Sequence, residues 1–395
     1  MENVVMKEEV VIVGGGIAGL ATALALKRVG VKSLVLERSN ELRVTGAALT
    51  LFSNAWIALE SLGVAHKLTS AYKPYEGGQV TDVASGVTKE NTLTKNYKGE
   101  EWQATGLRAI HRRALLELRS IEKAKTRRDN DSFGVIVHLE DGTSVHTKWL
   151  GLKDVVHSGR CAVRGLGLFP EGHGLQHQIQ QFVDTGRRSG IAPISNNEVY
   201  WSSTYQTIVH KDEEMAKGDP KVIQQVTLES VVGYPQVVKD AVKQSDMQSL
   251  SWAPLLFRYP WDVIFRRLSY GTITVAGDAM HPMTPDLGQG GCASLEDAVV
   301  LGRHIGNLYI RNGRTISQED IEVEIEMYVK ERRWRTSGLI TASYLSGWVL
   351  QSGSSSRGVG WLMKFLRDTL FYKIVAPRLG GFLNYDCGKL PTASS

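Results

Sequence analysis

Residues 9–38 read EVVIVGGGIAGLATALALKRVGVKSLVLER. Val10 to Val13 form a continuous apolar run, the pattern of a strand buried on both faces. Gly14, Gly16 and Gly19 follow in G-x-G-x-x-G spacing, and Leu20 to Val29 carry apolar residues at helical intervals up to Gly30, which suits a helix C-terminus. A second short strand, SLVLER, brings Glu37 to its end, 23 residues after Gly14. Each part has a physical task. Gly14 permits a tight turn, Gly16 lets backbone approach a pyrophosphate, and Gly19 lets helix and strand pack closely. The free N–H groups and positive dipole end of the helix favour phosphate. Glu37 is placed to hydrogen-bond an adenosine ribose, with Arg38 beside it at the same end of the cofactor. Isolated glycines would mean little. Strand, glycines, helix, strand and acid in this order predict a dinucleotide-binding unit, of the kind NAD and FAD binders share.

Two further stretches bear on which dinucleotide. After Glu37 no second βαβ unit begins at once. Thr45-Gly46-Ala47-Ala48 instead leads into an amphipathic helix with Trp56, Ile57, Leu59 and Leu62, and small residues let a flat ring lie against backbone. Far along the chain, Gly271 to Ala276 (GTITVA) predict another buried strand, with Asp278 directly after it. Residues 277–291 read GDAMHPMTPDLGQGG, where Pro282 and Pro285 stiffen the path into a helix opening near Gly288, Gly290 and Gly291. A strand-end acid in such a sheet sits at the ligand edge. Two acids and two helix N-termini so far apart in sequence fit a long, two-headed ligand, and FAD is one.

Bulk properties narrow the class. The chain has 395 residues, 42% hydrophobic and 22% charged, which is enough for a large two-lobed globular protein. A net charge of +5 spread among 41 acids does not point to nucleic acid. Cys161, Cys292 and Cys387 make no CxxC and no even framework, so neither a disulfide nor a metal site is expected. His173 and His177 in HGLQH share helical spacing but lack an acid, and Gly174 argues against a metal helix. No apolar run reaches spanning length, and the N-terminus enters a strand within ten residues, so a cytoplasmic location is expected. WLMKFLRDTLFYKIV (361–375) is apolar and basic; it suits a core-packing terminal helix better than peripheral membrane contact.

With these landmarks the chain resembles the class A flavoprotein monooxygenases, the aromatic hydroxylase family, and within it plant members similar to zeaxanthin epoxidase and the salicylate or urate hydroxylase-like branch. VVIVGGGIAGL (10–20), LRAIHRRALLE (107–117) and the GDAMHPMTPDLGQGG block carry the resemblance, with SWAPLLFRYPWD (251–262) and LGGFLNYDCGKLP (379–391) pointing to the plant subgroup. The resemblance implies FAD as cofactor, NAD(P)H as co-substrate, and O₂ plus a small ring-bearing organic molecule as substrates for hydroxylation or epoxidation. It implies that Glu37 binds the ribose, Arg108 contacts the FAD linker with Arg112 in support, and Asp278 holds the ribitol and pyrophosphate region. Amides of Gly288 to Gly291 would border the flavin pyrimidine, with Pro285 near the reacting edge. His281 reads as a loop-positioning donor rather than a general base.

The expected architecture is α/β: a Rossmann-like FAD-binding domain with a parallel sheet, built from 1–75, 107–157 and 261–330. A substrate-covering antiparallel sheet comes from 76–106 and 160–260, and a C-terminal helical segment from 331–395. A helix is expected over 108–128, where further basic residues would form a solvated face. One family landmark is missing. A strand and Gly-x-Asp-Gly turn belong just before KWLGL, but the chain runs LEDGTSVHTKWLGL, in which Asp141-Gly142 reads as a hairpin turn between alternating strands. About fifteen residues are absent, judged by the length of a strand and its turn. Low activity, or an inactive binding or regulatory paralogue, is the alternative reading.

Overall fold

A computed structural model describes residues 10–39, 48–90, 104–117, 124–128, 135–139, 144–147, 155–351 and 381–392. The Asp141-Gly142 turn, the KWLGL segment and the apolar segment 361–375 lie outside them.

The chain enters through strand β1 (Val10–Val13), the Ile17–Arg28 helix and strand β2 (Ser33–Glu37), and β1 and β2 pair in parallel, Val10 opposite Ser33. Strand β3 (Ala48–Leu51) is followed by the Ser53–Ser61 helix, β4 (Gly77–Asp82) and β5 (Thr88–Glu90). Strand β6 (Arg108–His111) pairs antiparallel with β3. The helix expected over 108–128 is therefore corrected. Only Arg112–Leu116 is helical within it, and Ala124–Arg128 is strand β7. Leu107, Arg108, Ala109 and Ile110 are all buried. Burial of consecutive residues on both sides of the chain is what a strand provides and an amphipathic surface helix does not. Strand β7 lies parallel to β2, and the hairpin of β8 (Val135–Leu139) and β9 (Ser144–Thr147) completes a five-stranded sheet in the order β1-β2-β7-β8-β9.

The second lobe is a seven-stranded sheet. Strands β10 (Val156–Leu168), β11 (Gln178–Asp184), β12 (Arg187–Pro193), β13 (Glu198–Gln206) and β14 (Ser251–Phe257) join β4 and β5 in the order β14-β10-β13-β12-β11-β4-β5. All neighbours are antiparallel except β4 and β11, which run parallel. In β13, Val199, Trp201, Ser203 and Tyr205 are buried while the residues between them are half-buried. One face packs a core of Val163, Ile191, Trp201 and Phe182 under the Pro220–Ser230 and Gln236–Lys243 helices. The other face is polar and looks into the first lobe.

The expected buried strand over 271–276 is also corrected. Only β15 (Ser269–Tyr270) and β16 (Ile273–Thr274) form, as a separate two-stranded hairpin. Among the described residues nothing extends the five-stranded sheet beyond β1. Strand β1 is only half-buried along its length and Val13 is 61% exposed. A ladder needs a neighbouring strand, and among the described residues none runs between β1 and residues 273–276; Val13 is exposed on the wall of a cavity.

Two helices close the molecule. Gly290–Arg311 packs on the Ile17–Arg28 helix, and Gln318–Gln351, which runs unbroken through residue 331, lies across it. The chain returns at 381–392, with Leu383 and Cys387 buried.

Candidate functional site

Gly14 has φ +108°, a conformation that favours glycine, and its N–H donates to the Leu36 carbonyl at 2.7 Å. A Cβ on Gly19 would collide with the Gly14 carbonyl, so that glycine sets how closely helix and strand pack. A Cβ on Gly14 or Gly16 would meet nothing within 4 Å, so the loop between them faces open space. The Ile17–Arg28 helix has no side-chain cap and no acid in its first turn. The Gly290–Arg311 helix has neither as well. Both N-termini thus keep N–H groups and dipole ends available to an anion.

These termini open on one cavity of about 550 Å³. Gly14, Gly16, Gly19, Arg112, Asp278, Pro285, Gly288, Gly290 and Gly291 are on its walls, brought together from three distant parts of the sequence. Asp278 sits in the short turn Gly277–Ala279 and is exposed toward the opening. Thr284 is also on the wall, and its buried hydroxyl has no partner among the described residues. Across the cavity stands the polar face of the seven-stranded sheet, with Arg164, Gln181, Arg188, Tyr200, Ser202 and Thr204.

Other sequence candidates are placed differently. Glu37 accepts from the Gly15 N–H at 2.5 Å and from the Ser39 N–H at 2.8 Å, so its carboxylate is folded against the glycine loop beside the cavity. Arg38 follows it at the end of β2 and is not on the cavity wall. Arg108 is 1% exposed, lies 4.6 Å over the Trp56 ring and donates to the Tyr72 and Gly106 carbonyls. Burial pulls its guanidinium down to about 10, so it is charged at neutral pH. Arg112, its neighbour on the other side of β6, is the one of the pair that reaches the cavity. His173 and His177 do not converge: one reaches the Ser195 carbonyl and the other stacks on Tyr75. Among the described residues no group of His, Cys, Asp and Glu could hold a metal.

His281 is fully buried and off the cavity. Its Nε2 lies 2.6 Å from Asp297 Oδ2, which also accepts from the Gly277 N–H at 2.7 Å. Asp297 Oδ1 accepts from Arg332 Nε at 2.7 Å, and Arg332 forms a 2.7 Å ion pair with Glu296. Glu296 also accepts from Arg335 at 2.8 Å and from Asn54 at 2.5 Å. This network pins the Gly277 turn to both long helices. Burial alone would push Asp297 up, but His281 and Arg332 outweigh it and hold the carboxyl well below the usual carboxylate range. Glu296 is lowered in the same way by Arg332 and Arg335. At the rim, burial is outweighed for Glu331 by His304 and Arg303, and its pKa falls to about 2.

Three depressed carboxylates make an acid-stability prediction. Each contributes stability that is present above its unfolded value and lost as pH falls through its folded one. The melting temperature should therefore fall as pH drops below about 4.5, the unfolded glutamate region. Glu331→Gln should flatten the part between there and about 2. An acid limb unchanged by that substitution would contradict the assignment.

Sequence reasoning missed this network and the arginines of the sheet. Acids at Glu296 and Asp297 inside the apolar run CASLEDAVVL were its one visible signal. Arg160 was missed as well. It binds Asp286 of the glycine-rich loop bidentately at 2.9 and 2.7 Å, and Gly347 lets the Gln318–Gln351 helix lie directly on that pair.

The comparisons follow the geometry. A family model described as "FAD binding domain" matches residues 7–158 and 190–335. Monooxygenase 2 of Arabidopsis thaliana is 35% identical over 413 residues, covering 97% of this chain and 98% of that protein. That alignment is longer than the 395 residues of this chain, so part of the relative has no counterpart here. An FAD-dependent urate hydroxylase of Klebsiella oxytoca is 27% identical over 323 residues, covering 74% of this chain and 79% of that protein. Klebsiella pneumoniae HpxO, solved in complex with FAD and uric acid, shares the fold with a TM-score of 0.73 at 22% identity, covering 98% of this chain and all of that one. Glycine loop, uncapped helix ends and matched family thus agree, and the chain belongs to the FAD-binding-domain family of flavin-dependent monooxygenases.

Proposed function

We propose that this protein uses NAD(P)H and O₂ to hydroxylate or epoxidise a small, ring-bearing organic substrate. The observation that carries the reading is the single cavity shared by two uncapped helix N-termini, Asp278 and the polar sheet face. The residues fit FAD. Gly14 and Gly16 leave the open cradle that a pyrophosphate needs, and Glu37 lies beside it for the adenosine ribose. Arg112 would supply positive charge to the linker, and Asp278 would accept from ribitol hydroxyls. Amides at Gly288 to Gly291 would border the ring, where they would favour negative charge. FAD when bound supplies the electron transfer and the activation of O₂. The chain's own part is to hold the ring against the Pro285–Gly291 backbone and to keep the substrate between it and the sheet. Leu49, Phe52, Leu107, Ile179 and Met283 line the space and exclude water. Flavin content after purification tests the first half. Substrate-dependent NAD(P)H oxidation with consumption of O₂ tests the second.

The edge position of β1 among the described residues favours a second feature of the reading, which is weak flavin retention and slow turnover. Each unpaired buried backbone group costs about 1–3 kcal/mol, against a total of about 5–15 kcal/mol for a domain. Inserting a family-like strand and Gly-x-Asp-Gly turn between Thr147 and Lys148 should raise melting temperature, bound FAD and NAD(P)H oxidation together. If the chain as it stands already holds FAD stoichiometrically and the insertion improves none of the three, the gap is benign. In that case the alternative, a paralogue with a binding or regulatory role, loses its main support.

A further inference from the structure

The Gln318–Gln351 helix has two apolar sides. Ile321, Ile325, Tyr328, Arg332, Thr336 and Leu339 recur every three or four residues and are buried, so they face the core and carry the Arg332 network. Val323, Met327, Lys330 and Trp334 recur at the same intervals about half a turn round the helix, and they are exposed. A helix that only closes a monomer carries polar residues on that side.

The short Pro260–Phe265 helix lies alongside. Arg333 donates to the Ile264 and Arg266 carbonyls at 3.0 and 3.1 Å, which fixes Phe265 beside it, and Phe265 is 81% exposed. One turn earlier, Trp261 stacks on Tyr259 at 4.4 Å, and the contacts continue through Phe257 to Tyr344. Side chains held in this way have little freedom left to lose on contact. The exposed parts of Trp334, Phe265 and Trp261 alone leave roughly 400 Å² of ring surface open. Val323 and Met327 add to it. Scattered apolar residues on a surface are ordinary, but a patch of this extent marks an interaction site. A standard interface takes about 800 Å² from each partner, a little over half of it apolar, so the patch has the apolar content of one.

Charge decides what covers it. From 318 to 329 the helix carries Glu319, Asp320, Glu322, Glu324 and Glu326 and no base. From 330 to 335 it carries Lys330, Arg332, Arg333 and Arg335 with one acid, Glu331. An anionic lipid surface laid along the stripe would meet Glu319 and Glu326, both exposed, and be repelled. A parallel second helix would set like charge against like. An antiparallel one sets the acidic half of each helix against the basic half of the other.

We propose that this stripe is the interface for a second copy of the chain, with two Gln318–Gln351 helices packed antiparallel about a two-fold axis near residues 328 and 329. That register sets Trp334 against the partner's Val323 and Met327 against the methylene stem of the partner's Lys330. It also brings Glu326 within reach of the partner's Lys330 ammonium. Phe265 flanks the contact on each copy. The same patch serves both chains, so the assembly closes at two. The inference does not depend on the flavin reading.

Sedimentation equilibrium of the purified full chain tests it. The parent should sediment at twice the 43.6 kDa chain mass at micromolar concentration. Trp334→Glu should weaken pairing at least tenfold, and Phe265→Glu should weaken it as well. Both side chains are exposed in the single chain, so circular dichroism and bound flavin should stay as in the parent. Glu326→Lys and Lys330→Glu chains should each pair more weakly than the parent, and an equal mixture of the two should pair more tightly than either alone. A parent that stays at the single-chain mass overturns the proposal. If that single chain binds phosphatidylglycerol vesicles, the stripe is a lipid contact instead. A pair that survives both glutamate substitutions is joined through another surface, which also overturns it. A mixture no tighter than its components overturns the antiparallel charge match. If Trp334→Glu fails to fold, Phe265→Glu and the mixture carry the decision.

Discussion

Arg332→Met is expected to lower stability by about 3–5 kcal/mol, the cost of removing one partner from a buried ion pair. Arg332, Glu296 and Asp297 are all 0% exposed, and the guanidinium touches both carboxylates. Methionine fills much of the same volume, so lost packing contributes little. What remains is two carboxylates in the core, of which Glu296 keeps Arg335 and Asn54, and Asp297 keeps His281 and the Gly277 N–H. The loss is comparable with the whole margin of a marginal domain, about 5–15 kcal/mol. Denaturant midpoints should show it, and Arg303→Met, at the half-exposed Glu331 pair, should change stability by no more than about 1 kcal/mol. Near-equal effects of the two would mean the buried network does not hold the turn against the helices.

The second large effect separates two glycines three residues apart. Gly16 has φ −75° and ψ −175°, a backbone any residue adopts, and a side chain there projects into open cavity. Gly16→Val should therefore fold much like the parent and retain no flavin, because the branched side chain occupies the pyrophosphate path. Gly19→Ala is the reverse case. Its methyl meets the Gly14 carbonyl, a backbone atom that cannot yield without moving β1 or the helix. It should destabilise by about 1–3 kcal/mol, as overpacking does, with flavin lost as a consequence. Absorbance of bound flavin and the melting curve of the flavin-free protein together read both outcomes. A Gly16→Val protein that keeps its flavin would place the cofactor elsewhere.

How far the sequence could be read depends on how local the determinants are. The β1-helix-β2 unit was legible because glycine spacing, helix periodicity and Glu37 all lie within 30 residues and each has a steric or electrostatic task. The helix opening at Gly290 was legible for the same reason. The segment at 108–128 was misread because its run of basic residues looks like a solvated face, whereas Arg108 is buried over Trp56 and bonded to carbonyls. That contact joins residues 52 positions apart, and no periodicity encodes it. The strand over 271–276 was misread because strand character does not say which partner a strand takes, and here Ile273 and Thr274 pair back on Tyr270 and Ser269 in a short hairpin. The sheet arginines were invisible for a third reason. Which of them face the cavity depends on which face of the sheet each takes, and that follows from register across β10, β12 and β13.

The half-exposed β1 has a consequence for the protein in solution. Among the described residues β1 ends its sheet, and a strand so placed presents a row of backbone donors and acceptors, while Val13 at its tip lies on the cavity wall. The usual protections, an edge lysine, a proline or a bulge, are absent from Val-Val-Ile-Val. Two such edges can pair with each other, so the reaction competing with cofactor uptake is second order in protein, while uptake is first order. Dilution then favours the flavin-loaded form, and crowding at high expression favours association through this edge.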